Sequence, residues 1–181
     1  MRQNEIKEES NHNLEHLTGK LKKEDLRYAR LSKTIQIVYW ALIPMYILIT
    51  GMSLWESWDP NRITGGTCII LGLIIFAIFF GNYYKEYKYV DYSLPTITML
   101  KKAAYRYQPF QKKSVWILLA LVLMDIGLSF NTSGLFTSYN SHIMFAGLIA
   151  IAVVAGYIFW FFKYKPLRDN ALQLIKEIEG D

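Results

Sequence analysis

The sequence predicts an all-α integral membrane protein, with four transmembrane helices in two tandem parallel helical-hairpin repeats and amphipathic cytoplasmic helices beside them. Three observations carry that expectation. Of 181 residues, 52% are hydrophobic and 19% charged, where a soluble domain has about a quarter charged. The apolar residues gather in four stretches, and 19 of the 20 Lys and Arg fall in three blocks around them, at 1–33, 85–113 and 163–176, with Arg62 the exception. Finally, several short motifs recur in the same order at a nearly constant offset. The same distribution excludes a disordered chain, a disulfide scaffold (Cys68 is the single cysteine) and a nucleic-acid binder argued from the net charge of +5 alone.

The N-terminal segment, 1–33, carries Leu14, Leu17, Leu21, Tyr28 and Leu31, and then Ile35, at three-four spacing, interrupted only at Glu24. That stripe predicts an amphipathic helix that can run on into the first span. Its length, and the dilution of its positive charge by Glu15, Glu24 and Asp25, favour a protein contact, with the other cytoplasmic helices or with a second chain. Leu14, Leu17, Leu21, Tyr28 and Leu31 are therefore the expected partner-binding face.

No formal charge occurs between Lys33 and Glu56, between Arg62 and Lys85, or in 114–162 apart from Asp125. A polar patch, 131–142, divides the last stretch. Spans are expected at roughly 34–54, 65–84, 114–130 and 142–162, each long enough to cross a hydrocarbon core of about 30 Å. The first apolar run follows a long charged segment, so no cleavable signal peptide is expected. The first hairpin is 34–94 and the second 114–164.

Between them, in 95–113, Ile97, Leu100, Ala104 and Tyr107 mark a second amphipathic helix, opened by Pro95 and closed near Pro109. It is tethered to the membrane at both ends. The expectation is that it lies in the lipid interface, with Lys101, Lys102 and Arg106 on anionic headgroups and Tyr105 and Tyr107 at the boundary. The tail, 165–181, repeats the pattern with Leu167, Ala171, Leu174 or Ile175, and Ile178, opened by Pro166 and ended by Gly180.

Cytoplasmic flanks are enriched in Lys and Arg. With four spans, both termini and the central linker fall on the basic side, and the short loops 55–64 and 131–141 carry one cation between them. The expected location is a cell membrane, as a multi-pass protein of a bacterial inner membrane with cytoplasmic termini. Tyr39, Trp40, Tyr83, Tyr84, Trp116, Trp160 and Tyr164 then fall at the inner boundary, and Trp55, Trp58 and Tyr139 at the outer one. Asn131-Thr132-Ser133 is a glycosylation-type triplet in the second outer loop.

The repeat is read from four matches. Leu21-Lys22-Lys23 with Arg27-Tyr28 recurs as Leu100-Lys101-Lys102 with Arg106-Tyr107. Trp40, Leu42, Gly51 and Ser53 recur as Trp116, Leu118, Gly127 and Ser129. Gly72-Leu73-Ile74, Ala77 and Gly81 recur as Gly147-Leu148-Ile149, Ala152 and Gly156, and Lys88-Tyr89 as Lys163-Tyr164. Small residues four apart let helices approach closely in lipid. The second and fourth spans are thus expected to meet through Ala77, Gly81, Ala152 and Gly156.

Chemistry is sparse. His12-Asn13-Leu14-Glu15-His16 has the H-x-x-E-H order that can set two imidazoles on one helical face for zinc, but it stands in a polar segment with no third ligand and is read as an exposed helix start. No phosphate-binding glycine loop, G-x-S-x-G elbow or metal-binding cysteine pair occurs, so no cofactor and no metal are expected. Asp125 is the sharper candidate: an acid about five residues inside the third span is costly unless paired or protonated. Its candidate partners are Ser129, Asn140, His142 and Thr50. The expected function is a non-enzymatic scaffold or regulatory subunit acting through its cytoplasmic helices, with the bilayer and another protein or a second copy as partners, and no nucleic acid. The alternative is a small proton or cation transporter or channel component using Asp125, with His142, in an oligomer.

Overall fold

The computed structural model describes residues 2–56, 58–130 and 138–180, with side chains throughout except those of 2–13, 56 and 138. The described residues form five α-helices and no strand: α1 (Arg2–Glu56), α2 (Pro60–Lys88), α3 (Thr96–Arg106), α4 (Val115–Phe130) and α5 (Ser138–Glu179), with a 3-10 turn, Lys112–Ser114, leading into α4. Four helical segments are long and apolar enough to cross a membrane: Leu14–Trp55, Pro60–Lys88, Lys112–Phe130 and Tyr139–Glu179. The triplet at Asn131 lies outside the described residues, as does the side chain of His12.

α1 passes without interruption from the amphipathic segment into the first candidate span, as its stripe allowed. One boundary differs from expectation. Pro166 does not open a new helix but sits inside α5. An interior proline removes one backbone donor and crowds the preceding turn, yet the flanking turns of a long apolar helix can absorb this locally. Here Leu167, Ala171, Leu174 and Ile175 hold the following turns in a packed core. Pro95 does act as expected, standing immediately before α3, where its carbonyl accepts from the amide of Met99 at 3.0 Å.

The chain divides into two compact units. The first comprises 1–29, 86–111 and 155–181, and so assembles the N-terminal part of α1, all of α3 and the C-terminal part of α5. Its core is Leu17, Leu21, Ala29, Met99, Leu100, Ala103, Ala104, Leu167, Ala171, Leu174 and Ile175, with Leu21 and Leu100 fully buried. The alanines let α3 approach its neighbours closely, and burial of each large aliphatic side chain contributes about 1.5–3 kcal/mol. Lys101 of α3 reaches Glu179 of α5 at 2.6 Å, and Lys163 of α5 stands 2.7 Å from Glu24 of α1 as an ion pair. Glu24, the residue that interrupts the apolar stripe, therefore has a cation on α5.

This packing corrects the expected partner-binding face. Leu17 and Leu21 are covered by the chain itself, Leu14 and Tyr28 are half-buried, and Leu31 is 54% exposed. The buried line of α1 runs Leu17, Leu21, Asp25, Ala29 and Ser32, not onward through Tyr28 and Leu31. A straight helix with 3.6 residues per turn drifts about 20° per heptad from a 3.5-residue repeat. Over two heptads the drift turns Leu31 outward and brings Asp25 and Ser32 inward. The apolar face of α3, with Met99, Leu100, Ala103 and Ala104, likewise lies buried against protein.

The second unit comprises 30–85 and 112–154. Its core is Ile43 of α1 with Ile69, Leu73 and Ala77 of α2, flanked by Tyr39, Leu42 and Tyr46 of α1 and by Met124 and Leu128 of α4. α2 lies between α1 and α4, and its glycines set the spacing. A Cβ on Gly66 would stand 2.3 Å from Thr50 Oγ1, one on Gly72 2.8 Å from Met124 Cγ, and one on Gly81 2.4 Å from Gln36 Nε2. From the other side, a Cβ on Gly127 of α4 would stand 2.7 Å from the carbonyl oxygen of Gly65. Tyr39 stacks on Phe76 at 5.1 Å.

The expected meeting of the second and fourth spans is not made. Ala77 is fully buried, but Gly81 faces Gln36 of α1, Ala152 is exposed, and nothing lies within 4 Å of a Cβ placed on Gly156 or Gly147. The Gly81 side of α2 is already taken by α1, through Gln36. In its most apolar 18 residues the second candidate span is 44% buried, and the fourth 0%.

Candidate functional site

In the second unit, Asp125 and His142 come together as the sequence suggested. Asp125 projects from α4 five residues before its end, and His142 from the first turns of α5. His142 Nδ1 stands 2.8 Å from Asp125 Oδ2, with the side chains 45% and 32% exposed respectively. Ser129, one turn beyond Asp125, bonds its hydroxyl to the backbone carbonyl of Asp125 at 2.8 Å, as helical serines in apolar segments do. Thr50 is instead placed against Gly66.

The order Asp125, His142, Ser129 has the composition of a nucleophilic triad, so its geometry matters. Ser129 Oγ is 2.9 Å from His142 Nε2 but also 3.3 Å from Nδ1. An oxygen on the lone-pair axis of Nε2, at hydrogen-bond distance, would stand about 5 Å from Nδ1. The hydroxyl therefore lies beside the ring rather than in line with Nε2, and its proton has the Asp125 carbonyl as acceptor. The imidazole is not placed as a base on Ser129. What the arrangement does provide is a carboxylate and an imidazole in contact between α4 and α5.

The first unit holds a cluster that the apolar pattern gave no reason to single out. Asp25 of α1 is 1% exposed and receives three donors. Tyr107 Oη donates to Oδ1 at 2.6 Å, while Tyr92 Oη at 2.5 Å and Arg106 Nη2 at 2.8 Å donate to Oδ2. All three donors come from α3, its C-terminal cap and the segment before it. Asp91 fixes that segment by accepting from the amide and hydroxyl of Ser93 at 2.9 and 2.6 Å, and these bonds hold its carboxyl below the usual range. Burial, then the bond from Tyr92 to Asp25, pushes the Tyr92 phenol well above its ordinary value. Burial and the Asp25 charge do the same for Tyr107. Both phenols thus stay protonated and able to donate.

The free carbonyls at the end of α3 are also satisfied by side chains. The Arg106 carbonyl accepts from Tyr87 Oη at 2.9 Å and Gln111 Nε2 at 2.8 Å, and the Tyr107 carbonyl accepts from Trp160 Nε1 at 2.8 Å. Around them Tyr28, Tyr87, Tyr107 and Tyr164 close a ring of four aromatic contacts, with centroids 4.6 to 6.4 Å apart. Arg106, expected on lipid headgroups, is instead 8% exposed and turned to Asp25, while Lys101 and Lys102 are exposed. A charge buried with three donors from α3 and its flanks locks α1 to that segment, in keeping with the general finding that buried charges are paired.

Among the described residues no group of three or more His, Cys, Asp or Glu side chains converges as a metal site. No protein-family model matches the chain, and no curated protein or solved structure is detectably similar to it.

Proposed function

We propose that this chain is a multi-pass protein of a bacterial inner membrane, with both termini cytoplasmic, that acts as a non-enzymatic interaction or regulatory subunit. The membrane reading rests on four helices of sufficient length and apolarity, and the orientation on the location of 19 of 20 cationic residues. The observation that carries the interaction reading is the fourth candidate span. Its Ala152 and Gly156 match Ala77 and Gly81 in the proposed repeat. Ala77 and Gly81 are closed by neighbouring side chains, whereas Ala152 and Gly156 are open. The cytoplasmic helices spend their apolar faces on one another, so the surface left for a partner helix or a second copy is the small-residue face of α5.

Disulfide cross-linking in native membranes tests this reading, using single cysteines in a Cys68→Ser background. Ala152→Cys and Gly156→Cys are expected to give a discrete cross-linked species, to a second copy or a partner, and Val154→Cys on another face is not. Equal yields at all three positions, or none, would reject it.

A second reading is favoured by one specific observation, the 2.8 Å approach of His142 to Asp125. A paired acid and imidazole on two candidate spans suits a proton or cation step in a small transporter component. Flux in proteoliposomes that survives Asp125→Asn unchanged would remove it.

A further inference from the structure

In the second unit, α2 and α4 meet through a contact that is reciprocal. A Cβ on Gly72 would stand 2.8 Å from Met124 Cγ and 3.1 Å from the carbonyl oxygen of Ala120, and one on Gly127 would stand 2.6 Å from Ile69 Cγ1 and 2.7 Å from the carbonyl oxygen of Gly65. Each glycine thus receives the side chain three residues before the other glycine and the carbonyl seven residues before it. Both glycines are buried, as are Ile69 and Ala120. The proposed repeat sets Gly51 of α1 where α4 has Gly127, and Gly147 of α5 where α2 has Gly72. Leu48 and Met52 then correspond to Met124 and Leu128, and Met144 and Leu148 to Ile69 and Leu73. The shape is kept in both, a glycine notch with one large apolar residue three positions before it and another directly after. Yet nothing lies within 4 Å of a Cβ on Gly51 or Gly147, and Leu48, Met52, Met144 and Leu148 are 68%, 65%, 56% and 59% exposed. Pro44 and Asn140, which correspond to Ala120 and Gly65, are exposed as well.

We infer that these two open faces close on each other between two copies of this chain, α5 of one copy on α1 of the other. Leu48 then fills the notch at Gly147 of the second copy and Met144 the notch at its Gly51, as Met124 and Ile69 do between α4 and α2. The first and third candidate spans share one direction and the second and fourth the other, so the pair keeps the antiparallel sense of the α2–α4 contact. Within one chain the two faces do not cover each other. A two-fold axis between copies uses both faces of both chains and leaves neither open. Lipid supplies no hydrophobic drive between helices, and what favours the pair is the packing of a side chain into a notch that lets backbones approach. Ala152 and Gly156 lie five and nine residues beyond Gly147, on another side of α5 at 3.6 residues per turn, so the inference does not depend on the interaction reading. It rests on the repeat and on the closed α2–α4 contact.

The test uses the full chain with Cys68→Ser, co-expressed with two different affinity tags and oxidised in native membranes. Leu48→Cys on one copy and Gly147→Cys on the other should give a disulfide-linked pair carrying both tags, as should Gly51→Cys with Met144→Cys. Leu48→Cys with Ala152→Cys should not. Nothing stands over either glycine within one chain, so G51L and G147L keep its fold, checked by circular dichroism, and act on association. Each should weaken self-association about tenfold or more, the scale of overpacking, in proteoliposomes with energy transfer between labelled copies as the readout. Association that survives both substitutions overturns the inference. If G156L alone weakens it, copies meet through the Ala152 and Gly156 side instead, which leaves the interaction reading standing and this one rejected. A disulfide found only within a single chain carrying both Leu48→Cys and Gly147→Cys, or equal yields with Ala152→Cys, would reject it too.

Discussion

Arg106 Nη2 lies 2.8 Å from Asp25 Oδ2, joining residues 81 apart in sequence with both side chains at least nine-tenths buried. Removing one partner of such a pair leaves an uncompensated buried charge, which costs about 3–5 kcal/mol, whereas replacing both by apolar groups of similar size is often neutral. Asp25→Ala should therefore sharply lower the thermal midpoint of the detergent-solubilised protein, followed by tryptophan fluorescence. Asp25→Leu with Arg106→Met should recover most of the loss. A single substitution without effect would show that the pair does not hold α1 to α3.

The phenols on the same carboxylate predict an alkaline weakness. Burial and Asp25 raise the Tyr92 and Tyr107 pKa values above the ordinary value of 10.0. Above about pH 10 the unfolded chain then loses these protons while the folded chain retains them, so stability falls as pH rises. Below that the contribution is complete. Thermal midpoints at pH 8 and pH 10.5 should differ by more in the unsubstituted protein than in Tyr92→Phe or Tyr107→Phe, although both variants start lower at pH 8.

These residues also show what the sequence can and cannot reveal. Charge-free runs exposed the four long apolar helices, and Pro95 and Pro109 bracketed α3, which ends at Arg106 with Tyr107 as its cap. The register of α1 was misjudged because a seven-residue pattern of apolar residues points to Tyr28 and Leu31, and counts Asp25 only as a diluting charge. Its burial depends on donors from 92–107, which no local pattern connects to it. Conversely, Asp125 was legible as the one formal charge in 114–162, and His142 as one of four polar groups within its reach. The open face of α5 was not legible, since matching small residues in two spans say that close packing is possible and not which helix will take it.

Glycines in the second unit should separate by what stands over them. At Gly127 an added Cβ meets the carbonyl oxygen of Gly65 at 2.7 Å, a backbone atom that cannot swing aside. Gly127→Ala should cost about 1–3 kcal/mol, the usual scale of overpacking. Gly51, its counterpart in the proposed repeat, has nothing within 4 Å. Gly51→Ala should be neutral or slightly stabilising, since alanine is the better helix former by about 1 kcal/mol. Comparable losses in both variants would contradict the α2–α4 packing.

The Asp125–His142 pair yields to a double-mutant cycle, because the two readings of it differ in size. Both side chains are partly open, with Asp125 32% and His142 45% exposed. If water reaches them, the coupling should be that of an exposed ion pair, about 0.2–1 kcal/mol. If lipid surrounds them, a lone carboxylate left by His142→Gln has no solvent to accept it, and the single substitution should cost more than the double. Measured in nanodiscs with Asp125→Asn, His142→Gln and both together, a large coupling that shrinks in small detergent micelles would place the pair in the hydrocarbon region, where proton exchange has functional value. A small coupling that is the same in both settings would make it a surface contact tying α4 to α5. In that case Asp125→Asn should also leave any flux intact, and the interaction reading would stand alone.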